Sequence, residues 1–154
     1  MVETVTASAE SDGVMAAAML LHAFNVEYDE PSPPPDELAR RLSDLLQGDV
    51  VVLLARDEAD AVGVAVLRLQ PSLWSHGKEM YLAELYVVPD RRGQGYGREL
   101  ITRALEVSRE AGADYAFLVT SEDDRLAQKL YEAAGFRRTE GEGGPLMLAY
   151  EREL

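Results

Sequence analysis

Three glycines fall within five positions, at Gly93, Gly95 and Gly97, and Arg91, Arg92 and Arg98 bracket them. The chemistry open to such a group is the holding of an anion. Glycine lets another molecule approach the backbone closely, and the unpaired N–H groups and dipole of a helix start favour negative charge. Gln94 and Tyr96 complete the turn. Ahead of it, Tyr81 to Val88 is a run rich in Leu, Val and Tyr that suits a strand, and Pro89-Asp90 stops it. Behind it, Leu100, Ile101, Ala104 and Leu105 recur at helical spacing, with Gly112 placed to end the helix. Strand, glycine turn and helix start together describe a phosphate cradle. A tight turn with no ligand is the plainer alternative from local sequence.

Other glycine-rich cradles fit less well. A P-loop places Lys and then Ser or Thr after its last glycine, where Arg98-Glu99 stand here. The spacing is not that of a dinucleotide fingerprint, and too little chain follows for a doubly wound domain. A second reactive group is Glu84, a carboxylate among Leu82, Leu85 and Val87. Burial would raise its pKa toward that of a working base, whereas pairing with a neighbouring cation would make it structural. Alternation puts Glu84 on the face of Leu82 and Tyr86, unless a bulge changes the parity.

Arg92-x-x-Gly95-x-Gly97, following a strand and opening a helix, resembles the acetyl-CoA pyrophosphate motif of the GNAT superfamily of N-acetyltransferases. A second block, Asp124-Arg-Leu-Ala127-Gln-Lys-Leu130-Tyr131-Glu-Ala-Ala-Gly135-Phe136, resembles that family's N-x-x-A-x-x-x-Y-x-x-x-G-F helix, with Asp124 where Asn is usual. The two blocks stand in the family's order. The resemblance implies that the Arg92–Gly97 amides, with the charge of Arg92 and Arg98 close by, hold the diphosphate of acetyl-CoA. It also implies that Leu85, Tyr86 and Val87 pair with the pantetheine arm, and that a Val87 N–H polarises the thioester carbonyl. Tyr131 is then the acid for the departing thiolate, since a phenol of pKa about 10 suits that task. Asp124 can cap its helix and accept a hydrogen bond from the cofactor arm, but it cannot donate an amide hydrogen. Glu84 is the candidate base, with a water chain or no base at all as alternatives.

The elements that must position these groups read in order as strand, helix, helix, three strands, helix, strand, helix, strand. Val2 to Thr6 alternates as a strand, and Ser11 or Asp12 caps a helix to about Phe24. Asn25 to Pro35 is a proline-rich loop carrying Glu27, Asp29 and Glu30, and Asp36 opens a helix to about Leu46. Strands follow at Val50–Ala55 and Ala61–Leu69, then a loop with Trp74 and His76. Later come a strand at Tyr115–Thr120, a helix to about Ala134 stopped by Gly135, and a last strand at Leu146–Glu151. The fold class expected is α/β (α+β). It has a mixed, twisted, splayed sheet of about 6–7 strands and about four helices, in one domain over residues 1–154.

Composition narrows the function. There is no cysteine among 154 residues, so disulfides, thiolate metal sites and a cysteine nucleophile are excluded and a reducing cytoplasm is expected. No metal is invoked. A net charge of −13 opposes nucleic-acid binding, and no apolar run is long enough to span a bilayer. The charge is uneven, −9 over residues 1–77 against −4 over 78–154. That asymmetry suits an anionic cofactor in the second half and a cationic acceptor facing the first. The acceptor expected is a primary amine on a cationic small molecule, aminoglycoside- or polyamine-like, gripped by Glu27, Asp29 and Glu30, with Trp74 and His76 at the pocket rim. Acetylation of a protein N-terminus or lysine is the alternative, and a non-catalytic acetyl-CoA-binding sensor is an alternative of another class. The resemblance also implies that a homodimer is common.

Overall fold

Continuous apolar runs rich in Val and Leu become the central strands, because two covered faces leave no room for polar alternation. The computed structural model describes residues 1–5 and 12–154. Thr6, the expected end of the first strand, and Ser11, one of two expected caps, lie outside the described residues. The chain forms two compact units, Met1–Phe117 and Leu118–Leu154.

The first unit runs β1 (Val2–Thr4), α1 (Asp12–Glu27), α2 (Pro35–Leu45), β2 (Val50–Asp57), β3 (Asp60–Pro71) and β4 (Lys78–Val87). A 3-10 turn (Pro89–Arg91), α3 (Tyr96–Glu110) and β5 (Ala113–Phe117) follow. Its sheet has the order β1-β2-β3-β4-β5. The first four strands pair antiparallel, and β4 pairs with β5 in parallel across α3. That crossover is what a strand–helix–strand sequence requires.

Val52, Leu54, Val64, Val66 and Tyr86 share one face of the sheet and pack with Val14, Ala17 and Ala18 of α1 and Leu42 of α2. Residues of opposite parity face α3. At Gly63 a Cβ would come within 3.0 Å of Leu100 Cδ1 and 3.2 Å of the Tyr86 carbonyl oxygen, so glycine eases the close seating of α3. The α1 helix runs three residues past the expected Phe24, to Glu27.

The second unit holds α4 (Arg125–Ala133). Asp124 caps it, accepting from the Ala127 amide at 3.0 Å. Gly135, at φ 91°, stops it, and the Phe136 amide closes back on the Tyr131 carbonyl at 3.0 Å. The packing stripe expected at Leu126, Ala127, Leu130 and Ala133 is narrower than that, since Leu126 is 78% exposed and Ala133 is open.

Two expectations need correction. The described sheet has five strands, not six or seven. The strand expected at Leu146–Glu151 is reduced to a single bridge between Thr139 and Leu146, with Leu146, Met147, Leu148 and Tyr150 exposed. Its apolar pattern is strand-like, but a strand exists only where a neighbour completes the ladder. Among the described residues no helix is long and apolar enough to cross a membrane.

Candidate active site

β4 carries Glu84, Leu85, Tyr86 and Val87 and leads to the glycine turn, and its register explains how they are placed. Leu67 pairs with Leu82, but Val66 pairs with Glu84, so Ala83 is an extra residue in a β-bulge. Directly paired residues point to the same side, and Val66 and Leu67 point to opposite sides. Leu82 therefore faces α3, while Glu84 and Tyr86 face the side of α1 and α2. Simple alternation would have put Leu82 with Glu84. The bulge separates them and keeps a carboxylate out of the α3 core.

Beyond the bulge, one edge of β4 has no strand partner among the described residues. The parallel pairing with β5 covers only Lys78 to Tyr81. On the other side, the Val88 amide bonds the Val62 carbonyl at 2.9 Å, which makes that pair hydrogen-bonded. The antiparallel alternation then makes Gly63/Val87 and Ala65/Leu85 non-bonded pairs. The N–H and C=O groups of Leu85 and Val87 thus point away from β3, toward the edge that β5 has left. Arg92 Nε bonds the Val87 carbonyl from that side at 2.9 Å.

The bare edge leads into the glycine turn. Gly93 (φ 75°) and Gly95 (φ 96°) are both left-handed, and Gly95 is the N-cap of α3 with no side chain to cap it. The first backbone bond of the helix runs from Glu99 N–H to the Gly95 carbonyl at 3.0 Å. The Arg92 amide makes a long bond to the Pro89 carbonyl at 3.4 Å. Among the described residues, the amides of Gly93, Gln94, Gly95, Tyr96, Gly97 and Arg98 have no partner within the protein. Six free donors at a helix N-terminus make an anion seat.

The arginines divide the work in a way the sequence did not reveal. Arg91 is held by Asp57 at 3.1 Å and by Asp90 at 3.2 Å. Arg92 is held by both carboxylate oxygens of Glu27, at 2.8 and 2.9 Å, and lies 5.5 Å over the Tyr86 ring. Arg98 makes no ion pair among the described residues, and its Nη2 lies 3.8 Å from where a Cβ on Gly95 would be. Arg98 is thus the arginine beside Gly95 that no carboxylate holds.

Glu27, expected to meet an acceptor, is thus committed within the protein, since it also accepts from the Tyr86 hydroxyl at 3.1 Å. Loss of solvation, with Glu27 beside it, lifts the Tyr86 phenol above its usual range. Asp29 and Glu30 are exposed on the loop after α1. His22 clips that loop down, with Nδ1 at 2.9 Å from Ser32 Oγ and 3.0 Å from the Pro33 carbonyl. Trp74, 88% exposed, and His76 sit on the loop before β4. Ten residues of strand, roughly 30 Å, separate that loop from the glycine turn.

The Glu84 carboxyl is raised above its ordinary value by loss of solvation, and the Arg68 charge opposes the shift. It is nonetheless open to solvent. Arg68 itself was missed by the sequence reading, although a single charge inside the apolar run Ala61–Leu69 was a usable signal. In the second unit, the Tyr131 phenol is pushed up to about 12, by burial first and then by the Asp124 charge. Its ring meets that of Phe136 edge-on, with centroids 6.2 Å apart.

The pattern of the Acetyltransferase (GNAT) family matches residues 17–136. The chain belongs to the GNAT family. A candidate acetyltransferase from Arthrobacter sp. FB24, seen in a crystal structure, is 40% identical to this GNAT chain. The match covers 100% of this chain and 96% of that one, with a TM-score of 0.88. Bovine (Bos taurus) thialysine N-epsilon-acetyltransferase is 35% identical over 83 residues, 53% of this chain and 48% of that protein. The chain thus spans about half the length of that curated relative. The aminoglycoside acetyltransferase meta-AAC0020, from an uncultured soil metagenomic sample and in complex with sisomicin, has a TM-score of 0.79 at 19% identity. That match covers 100% of this chain and 95% of that one, and shows a shared fold.

Proposed function

We propose that this GNAT protein transfers an acetyl group from acetyl-CoA to a primary amine of a small molecule, residues 1–154 serving as one acetyltransferase domain. The observation that carries the reading is the run of unpartnered amides from Gly93 to Arg98 beside the bare edge of β4. Those groups fit the co-substrate. The amides and Arg98 suit a diphosphate, and the outward N–H and C=O groups of Leu85 suit the amides of a pantetheine arm, while the Val87 carbonyl is held by Arg92 and its N–H stays free. Bound there, acetyl-CoA supplies an acyl group activated by its thioester.

The chain's own residues do the rest. The Val87 N–H donates to the acyl oxygen, where negative charge grows as the amine adds. The amine attacks as the free base, its ammonium proton having gone to solvent. As the N–C bond forms a second N–H proton becomes acidic and Glu84 takes it, the raised carboxyl pKa bringing it closer to a useful base. Tyr131, at about 12, keeps its proton at any working pH. Complete transfer to a thiolate of pKa about 8.5 would run uphill, so the phenol serves as a hydrogen-bond donor to the departing sulfur. Asp124 caps α4 and so fixes the helix that carries Tyr131.

The test is thiol release from acetyl-CoA with a panel of primary amines. Release with at least one amine, and slower release by Tyr131→Phe, supports the reading; no release with any amine overturns it. A second reading, a polycationic acceptor of the aminoglycoside or polyamine kind, draws support from exposed Asp29 and Glu30. Commitment of Glu27 to Arg92 weakens it.

A further inference from the structure

The sheet face that carries Glu84 is covered at one end and open at the other. Val64 and Val66 of β3 are buried under α1 and α2, whereas Arg68 and Gln70, next on the same face, are exposed. Tyr81 lies opposite Arg68, Glu79 opposite Gln70, and Glu84 opposite Val66. On β5, Phe117 pairs with Tyr81. Their rings stack with centroids 5.0 Å apart and an interplanar angle of 2°. The Ala83 bulge is what brings odd-numbered Tyr81 and even-numbered Glu84 to one side. The open floor thus consists of a guanidinium, an aromatic pair and two carboxylates, Glu84 and a Glu79 that already accepts from Gln70 Nε2 at 3.1 Å, all within the first unit.

Arg68 makes no ion pair or side-chain hydrogen bond among the described residues, unlike Arg56, Arg91, Arg92 and Arg103. A diagonal position across the ladder puts its Cβ roughly 7 Å from that of Glu84. A guanidinium on an apolar strand, with an aromatic platform beside it and no internal partner, is suited to an anion brought from outside.

We infer that the acceptor carries an acidic group as well as its amine, and that Arg68 binds that group while the intervening carbon chain lies on Tyr81 and Phe117. The amine then meets Glu84. The inference rests on the acetyltransferase reading and narrows it: the acceptor is an amino acid-like zwitterion of a few carbons, not a polycation, because Arg68 repels a second positive charge. Glu84 and Arg68 act as a matched pair of poles for the two ends of the substrate. The shift of the Glu84 carboxyl by Arg68 agrees that the two groups sense one another.

The experiment compares three acceptor series of equal length, ω-amino acids, alkylamines and α,ω-diamines, in thiol release from acetyl-CoA. Wild type, Arg68→Ala and Arg68→Lys are each measured. Calorimetric binding of the best ω-amino acid is measured in parallel, and thermal melting confirms that each variant folds. A charge-assisted pair is worth roughly a 10- to 100-fold preference for ω-amino acids over alkylamines. Arg68→Ala should erase that preference through KM and weaken calorimetric binding of the amino acid by a similar factor. Arg68→Lys should keep part of both. Equal use of alkylamines or diamines, or an equal loss on all three series in Arg68→Ala, overturns the inference and leaves the acetyltransferase reading intact. No turnover of any amine overturns both.

Discussion

Glu27, the last residue of α1, holds Nη2 of Arg92 between its two carboxylate oxygens, at 2.8 and 2.9 Å. The link ties the first helix to the residue that opens the glycine turn. Arg92 in turn bonds the Val87 carbonyl, so one side chain spans helix, strand and turn. Tyr86 joins from below, its hydroxyl on Glu27 and its ring stacked 5.0 Å from that of Phe24. Glu27→Ala leaves a guanidinium and a phenol without their acceptor. Arg92 and Glu27 are partly exposed although Tyr86 is buried, so the expected loss is about 1–2 kcal/mol, read as a lower urea midpoint at unchanged m-value. An unchanged midpoint would mean that water replaces the carboxylate without cost.

Gly95 is required for its conformation, since φ is 96° and the space where a Cβ would go is open apart from Arg98. Gly95→Ala should cost about 1–2 kcal/mol of stability. It should weaken coenzyme A binding roughly tenfold or more, because the turn relieves its strain by re-aiming the amides. Calorimetry with coenzyme A checks this, and unchanged affinity would separate the turn from the ligand.

Glu84 gives a prediction with a definite sign. Its folded pKa is raised, so the stability it contributes is complete below the unfolded carboxylate pKa of about 4.3 and is lost as pH rises through the folded value. Glu84→Gln cannot ionise and escapes that loss. The melting temperature of the variant relative to wild type should therefore climb from pH 4 to pH 7. The wild-type kcat/KM should rise with pH through a midpoint above the ordinary carboxylate range, and the variant should lose that limb. A parallel pair of stability profiles would remove the shifted carboxylate from the account.

Much of this was legible in residue order. The glycine turn and the Gly135 stop could be read because left-handed backbone and helix ends demand particular residues. Pairing information was not legible. The Ala83 bulge depends on how β3 and β4 align, and nothing local marks Ala83 as extra. Glu27 and Arg92 lie far apart in sequence, so a loop acid and a cofactor arginine looked independent until the fold joined them. Leu146–Glu151 has a strand's pattern without a strand's neighbour. Arg68 was visible as a charge in an apolar run, but its meaning needed Tyr81, Phe117 and Glu84 on the same face.

Tyr131→Phe removes a hydroxyl whose pKa of about 12 makes it a donor at every working pH. Turnover should fall roughly tenfold to a hundredfold while the coenzyme A dissociation constant changes less than about twofold. Above the rise set by Glu84, wild-type turnover should show no alkaline fall up to the limit of protein stability, because no titration of Tyr131 intervenes. Equal losses in binding and turnover would make the residue a packing element of α4.

The central claim is that free amides from Gly93 to Arg98 seat a diphosphate, and amide resonances report on it directly. In ¹⁵N–¹H correlation spectra of the labelled protein, coenzyme A should shift the Gly93, Gly95 and Gly97 signals. Pantetheine, which lacks the diphosphate, should leave those three in place while still moving Leu85 and Val87. Glycine signals that stay fixed under saturating coenzyme A, or that respond equally to pantetheine, would contradict the account.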